Sequence, residues 1–253
     1  GTGVQVSSRV RGWLIISQVT FVTLLVFANI DLLRDSLKVI YKPLGFETEN
    51  IATLQLKVGG ELSGEEVKAL SLELRSKLKA LPQVEDVSLS PSPLSYNGSR
   101  ILTTEGTEER LTIRSKYIDD RYFQITGQTL VEGNFFSEDD FRNDNQRIII
   151  NDVYARKLVS NGSALGTILK IASDRLSVVG VVKSVKMPTE AEVPMRAYMR
   201  NSWQWEQFII KLKPNQSLSQ ELVINVTQGV SRQFYVRSLK ALNEQRDQQL
   251  FTQ

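Results

Sequence analysis

The run Trp13–Ile30, WLIISQVTFVTLLVFANI, carries no charged residue over 18 positions. Wound as an α-helix it is roughly 27 Å long, close to the hydrocarbon thickness of a bilayer. Its polar members Ser17, Gln18, Thr20, Thr23 and Asn29 are side chains that neighbouring helices of a membrane bundle can satisfy. Arg9 and Arg11 precede the run and Asp31 follows it. The excess of positive charge before the run places the N-terminus in the cytoplasm and the residues after about 33 outside. A cleavable signal peptide has a shorter apolar stretch and small residues at its cleavage site. Here the run passes into LLRDSLKVIYK, where Leu32, Leu33, Leu37 and Ile40 keep helical spacing. A buried core helix is the other alternative. The expectation is a transmembrane and stalk helix over residues 9–42, free of Pro and Gly from Trp13 to Lys42.

Composition narrows the chemistry of the rest. The chain has 253 residues, 41% of them apolar and 23% charged, enough for a substantial core. Lys and Arg number 31 against 28 Asp and Glu, and no dense basic run accompanies that small excess, so a nucleic-acid partner is not expected. Histidine and cysteine are both absent. That excludes Ser-His-Asp and Cys-His nucleophiles, thiolate or imidazole metal sites, and disulfides. A chain without cysteine suits any compartment. No Gly-x-x-x-x-Gly-Lys-Ser/Thr sequence occurs, so ATP hydrolysis would have to come from another domain or subunit.

Beyond the stalk, Pro43 and Gly45 in KPLGF stop the helix. Ile51 to Val58 alternates apolar and polar residues, as a half-buried strand does. Ser63 opens an amphipathic helix: Ser63 and Glu66 have capping-box spacing, and Val67, Leu70, Leu74, Leu78 and Leu81 form one stripe. Pro82 ends it, and Val84 to Leu89 is a second strand. The same grammar returns with the strand Gln207–Leu212, a turn at Pro214 and Asn215, a helix capped by Ser217, and a strand from Phe234. Two β-α-β units about 155 residues apart predict a split βαβ, ferredoxin-like domain with a long insertion. Within the insertion, RILTTEG, RLTIRS, RIIIN, ILKIA and SVVGVVKSV are candidate strands. Short helices are expected at Ser137–Phe141 and Asp152–Val159, and a polar helix over Leu239–Phe251.

A series of fragments of the chain, in order, resembles the extracytoplasmic core of MacB/FtsX-like permeases of ABC transporters. RGWLIISQVTFVTLLVFANIDLLRDSL is similar to a transmembrane helix preceding such a domain, and LKALPQVEDVSLSPSPL to the helix-strand passage after it. Within the insertion the resemblance is carried by Tyr122, Phe123, Gly127, Gly133 and Phe135, then Asn151, Ala155 and Leu158. It continues through Leu165, Gly166, Val178, Val179, Gly180 and Val181. The resemblance implies an α+β fold with a porter-like subdomain from residues 46–98 and 201–238. An inserted β-rich, sabre-like subdomain would occupy 99–200, and a return stalk helix 239–253. A complete permease has several transmembrane helices, so the chain is expected to be a segment of a longer protein.

The small motifs carry bland readings. Gly180 within VVGVV suggests a bulge or a close strand approach, and Gly166 a turn with positive φ. Glu138, Asp139 and Asp140 lack calcium-loop grammar and read as a solvated, capped helix start. Asp119 with Asp120, and Glu108 with Glu109, read as solvated carboxylates on surface turns. Trp203, Trp205 and Phe208 alternate as packing residues. No catalytic, cofactor-binding or metal-ligating residue is assigned, and no cofactor is expected. What the resemblance implies is a non-enzymatic subunit of the bacterial inner membrane, with its head in the periplasm. Its expected partners are a cytoplasmic ABC ATPase, a second permease protomer (identical or not), and a periplasmic or outer-membrane protein. The alternative is the ligand-binding domain of a single-span sensor or receptor.

Overall fold

The computed structural model describes residues 8–40, 44–142, 146–159, 161–188, 190–201 and 205–251. It divides into two compact units, one up to Pro43 and one from Leu44 onward. The first is a single helix, α1 (Ser8–Ile40). Its segment Arg9–Arg34 is long and apolar enough to cross a membrane. The large apolar side chains along it, among them Trp13, Phe21, Leu24 and Phe27, are exposed. Ser17, Thr20, Thr23 and Asn29 donate to the carbonyls of Leu14, Ile16, Val19 and Leu25 on the same helix. These four donors are thus satisfied within α1 itself. The stop at Pro43 and the stalk's last residue, Lys42, lie outside the described residues.

The second unit contains two sheets. The smaller has the order β11-β1-β10-β2, all pairs antiparallel, from β1 (Ile51–Val58), β2 (Val84–Ser88), β10 (Gln207–Leu212) and β11 (Phe234–Ala241). With helices α2 (Gly64–Lys79) and α6 (Gln220–Val230) closing the two β-α-β crossovers, this is the split βαβ arrangement. Alternation along β1 and β10 sends Ala52, Leu54, Leu56, Phe208 and Ile210 into the core shared with Leu74 and Leu78 of α2 and Val223 of α6.

Both helices start where local chemistry dictates. On α2 the Ser63 hydroxyl accepts from Glu66 N–H while the Glu66 carboxylate accepts from Ser63 N–H at 2.8 Å, a complete capping box. The N-cap of α6 is Ser219, whose hydroxyl accepts from Leu222 N–H at 3.2 Å, and not Ser217 as the sequence suggests. The later start lets Leu218, just before the cap, pack in the same core as Val223, a hydrophobic staple. The C-terminal helix is also shorter than expected. Ladder partners on β1 hold β11 extended through Ala241, so α7 begins at Leu242 and runs to Phe251.

The larger sheet has the order β5-β8-β6-β9-β4-β3-β7. Its strands are β3 (Gly98–Thr104), β4 (Arg110–Ile118), β5 (Leu130–Gly133), β6 (Arg147–Asn151), β7 (Ile168–Ile171), β8 (Asp174–Val182) and β9 (Arg196–Arg200). Because β7 pairs with both β3 and β8, the sheet closes on itself as a small barrel. Leu102, Ile113, Ile148, Ile150, Leu169, Val178 and Met199 are buried together in its filling. Three short helices lie within its connections: α3 (Tyr122–Thr126), which rests against β10 and β2 of the smaller sheet, α4 (Glu138–Arg142) and α5 (Asp152–Leu158). The strands β5 and β9 and the helix α3 were not expected from the sequence.

Gly180 sits at a register shift where two residues of β8 follow one step of β6. A Cβ there would overlap the carbonyl oxygen of Asn134, so the close approach is real and glycine is needed. Gly166 has φ +77°, as a left-handed turn requires.

Candidate functional site

Ile149 of β6 points away from the barrel filling and joins Ile51 and Ile209 of the smaller sheet in a third buried cluster, with Tyr122, Phe123 and Tyr198. The two sheets are therefore welded by a common apolar layer. The aromatic rings in it pack edge to face or stacked, Phe123 against Tyr198 at 5.1 Å and against Phe135 at 4.7 Å.

Polar groups reinforce that weld. Asp119, which follows β4, is buried. Its carboxylate accepts from the Ser88 hydroxyl at 2.6 Å, Leu89 N–H at 2.7 Å and Arg121 N–H at 3.0 Å, and pairs with Arg75 of α2 at 3.2 Å. Burial pushes its pKa up from the usual carboxylate value, and the bonds from Ser88 and Leu89 act in the opposite direction. Asn201 adds a second tie, donating to the Leu89 carbonyl at 2.9 Å. This overturns the expectation that Asp119 is a solvated turn residue; Asp120 pairs at the margin with Arg121 at 3.3 Å. Glu108 and Glu109 are exposed, as expected. Asp140 is buried too, not solvated as the sequence suggests, because it accepts from the Ser137 backbone and hydroxyl at the start of α4 and pairs with Arg147 at 2.7 Å.

A second buried polar group lies on β4 and β9. Lys116 is enclosed, donating to the carbonyls of Ser92 and Pro93 at 2.9 Å and to the Tyr122 hydroxyl at 3.2 Å. Burial holds its pKa well below the ordinary lysine value; Arg196 pushes the same way, and Glu190 opposes. Arg196 is buried as well, bonded to Glu190 and the Val185 carbonyl, with its guanidinium over the Tyr96 ring. Asn151 organises the neighbouring backbone: its side-chain oxygen accepts from Tyr154 N–H and Arg196 N–H, and its amide donates to the Pro194 carbonyl. None of these roles was read from the sequence, although Asn151 stood among the residues carrying the family resemblance. The signal for Asp119 was faint, no more than an acid directly after the apolar Ile118 at the end of a strand.

Beside the weld a cleft of about 540 Å³ opens between α2 and α4, lined by Lys68, Leu72, Arg75, Phe141, Arg200 and Trp205 among others. Phe208 is buried, Trp205 packs against its cluster, and Trp203 lies outside the described residues. Among the described residues no cluster of three or more acidic side chains could hold a metal ion.

A family model for the MacB-like periplasmic core domain matches residues 21–222. The chain belongs to that family. It is thereby a MacB-like periplasmic domain of an ABC transporter permease. The periplasmic region of MacB from Actinobacillus actinomycetemcomitans superposes with a TM-score of 0.57 at 15% identity, covering 83% of this chain and 97% of that one. A domain described as that of a permease protein from Porphyromonas gingivalis gives 0.51 at 16% identity, covering 79% and 98%. The extracellular domain of the noncanonic ABC-type transporter YknZ from Gram-positive bacteria gives 0.46 at 19% identity, covering 74% and 100%. A comparison with curated proteins gave no match. The α+β fold is that of the MacB periplasmic domain, and the family-bearing residues are mostly its framework. Tyr122 and Phe123 lie in the weld, Gly127 caps α3 at φ +64°, and Gly180 packs under Asn134.

Proposed function

We propose that this MacB-like domain is a non-enzymatic transmission element. Force from a cytoplasmic ABC ATPase passes along α1, which spans the inner membrane with its N-terminus inside, to a head in the periplasm. In that head the split βαβ part (46–98 and 201–238) is porter-like, the barrel (99–200) is sabre-like, and 239–253 is the return stalk. The head acts with a second permease protomer, and with a periplasmic or outer-membrane partner, in export, lipoprotein extraction or other periplasmic work.

The observation that carries this reading is how the entering and leaving chains are fastened. Glu47 N–H donates to the Thr126 carbonyl of α3 at 2.7 Å, and the Glu47 carboxylate pairs with Lys211 of β10. On the leaving side Leu242 is buried in the weld, Arg246 donates to Thr48 at 3.1 Å, and Gln245 donates to Thr53 at 2.6 Å. The entering and leaving segments are thus clasped to each other and to the fold, so displacement of either end moves the head as one body. That rigidity suits transmission.

Topology is tested by labelling. These 253 residues contain no cysteine, and a single Glu108→Cys, in a whole permease from which any other cysteine has been removed, should react in cells with a membrane-impermeant maleimide added outside. Protection of that site until the cells are lysed would overturn the periplasmic placement.

A further inference from the structure

The face of the smaller sheet turned away from α2 and α6 is polar at its centre. Thr53 and Gln55 of β1 and Gln207 of β10 lie there, with Gln55 paired across the ladders to Gln207 on one side and Ser238 on the other. Together with the segment 91–97 this face forms an open bowl of about 670 Å³. The bowl has two cationic side chains in its lining, Arg237 and Lys240, and no carboxylate. Neither cation has an ion-pair partner among the described residues.

The ladder aims one of them. Gln55 pairs with Ser238 and Leu56 with Val236, so Arg237 is the extra residue of a β-bulge. A bulge breaks strict alternation and puts two successive residues on one face. Here Arg237 and Ser238 both line the bowl, while Val236 and Leu239 on either side pack into the core. An unbulged strand would have turned one of the two inward. The floor is held by the Gln245–Thr53 bond at 2.6 Å.

We propose that this bowl binds the phosphate group of a hydroxylated ligand, with Arg237 and Lys240 as its two cations. A phosphate carries about two negative charges, matching two unpaired cations, and the guanidinium fork fits its oxygens. Gln55, Gln207 and Ser238 offer hydrogen bonds to hydroxyl groups beside it. A soluble polyol phosphate presents this dianionic monoester, and a phospholipid headgroup presents the same phosphate oxygens and hydroxyl groups with one charge fewer. The proposal does not rest on the transmission role, although the Gln245–Thr53 bond serves both.

The test uses the full chain in dodecyl maltoside micelles, titrated with glycerol 3-phosphate against sodium chloride of equal ionic strength while the melting temperature is followed. A saturable rise above the salt control is expected. An Arg237→Gln/Lys240→Gln double variant should melt as the parent does without ligand and bind at least about tenfold more weakly. Should the double variant melt lower, Lys240→Gln alone decides by the same criterion. Repeating the titration in phosphatidylcholine vesicles with and without phosphatidylglycerol separates the sources. Loss of the response in phosphatidylglycerol identifies a lipid headgroup already in the bowl, and an unchanged response identifies a soluble ligand. No saturable rise, or an equal rise in the variants, overturns the proposal.

Discussion

Asp119 and Leu89 stand 30 positions apart in sequence, and the buried carboxylate of the first accepts the backbone N–H of the second at 2.7 Å. That bond joins the end of β4 in the barrel to the end of β2 in the split βαβ sheet. Replacing Asp119 by Ala leaves Leu89 N–H buried without its acceptor and Arg75 without its nearest carboxylate, while the Ser88 hydroxyl keeps only Ser90 at 2.7 Å. The variant should lose about 3 kcal/mol of stability in urea unfolding of the full chain. An unchanged midpoint would show that the apolar layer alone fastens the sheets.

Lys116 makes stability depend on alkaline pH. Burial, reinforced by Arg196, sets its folded pKa below the value near 10.4 that an unfolded lysine has. The unfolded chain therefore binds the extra proton between those two values, and stability rises with pH across that window. The stability difference between the parent and Lys116→Met should grow in the parent's favour as pH rises toward about 10. A difference independent of pH would contradict the buried, depressed amine.

Gly180→Ala tests the close approach of β8 to Asn134. The added methyl meets backbone on one side and Ile149 at 3.4 Å on another, with no flexible side-chain end to yield to it. A loss of about 2–3 kcal/mol is expected from chemical unfolding. Gly229→Ala, at a helical glycine with open space around its Cβ position, should be neutral or slightly stabilising in the same assay.

The two cap serines separate local from tertiary signals. Ser63→Ala and Ser219→Ala should each lower stability by about 1 kcal/mol, while Ser217→Ala should leave it unchanged. Equal losses at Ser217 and Ser219 would mean that α6 starts earlier than Gln220.

The split βαβ sheet was legible because its signals are local. Period-two alternation in β1, the Ser63–Glu66 box and the apolar stripe of α2 each lie within a few residues. The barrel was half legible: runs such as RIIIN and SVVGVV announce strands, but β9 is Arg196–Arg200, whose buried arginine masks the pattern. At five residues α3 is too short to show a period, and β5 holds only four. The family resemblance marked Asn151 and Gly180 without saying what they do. Asp119 looked like a turn residue because its partners at Ser88 and Leu89 come from another sheet. Ser217 and Ser219 both precede a plausible first turn, and the packing of Leu218 decides between them. Closure of the barrel through β7 depends on pairings of distant strands, which no local window contains.

The transmission account is tested most directly in the intact permease with its ATPase, by breaking α1 beyond the apolar segment with Leu37→Gly/Lys38→Pro. Proline in a helix interior removes a backbone bond and kinks the rod. The account predicts that ATP hydrolysis continues while transport or other periplasmic output is lost, with the head still folded. Output undiminished at normal hydrolysis would contradict it.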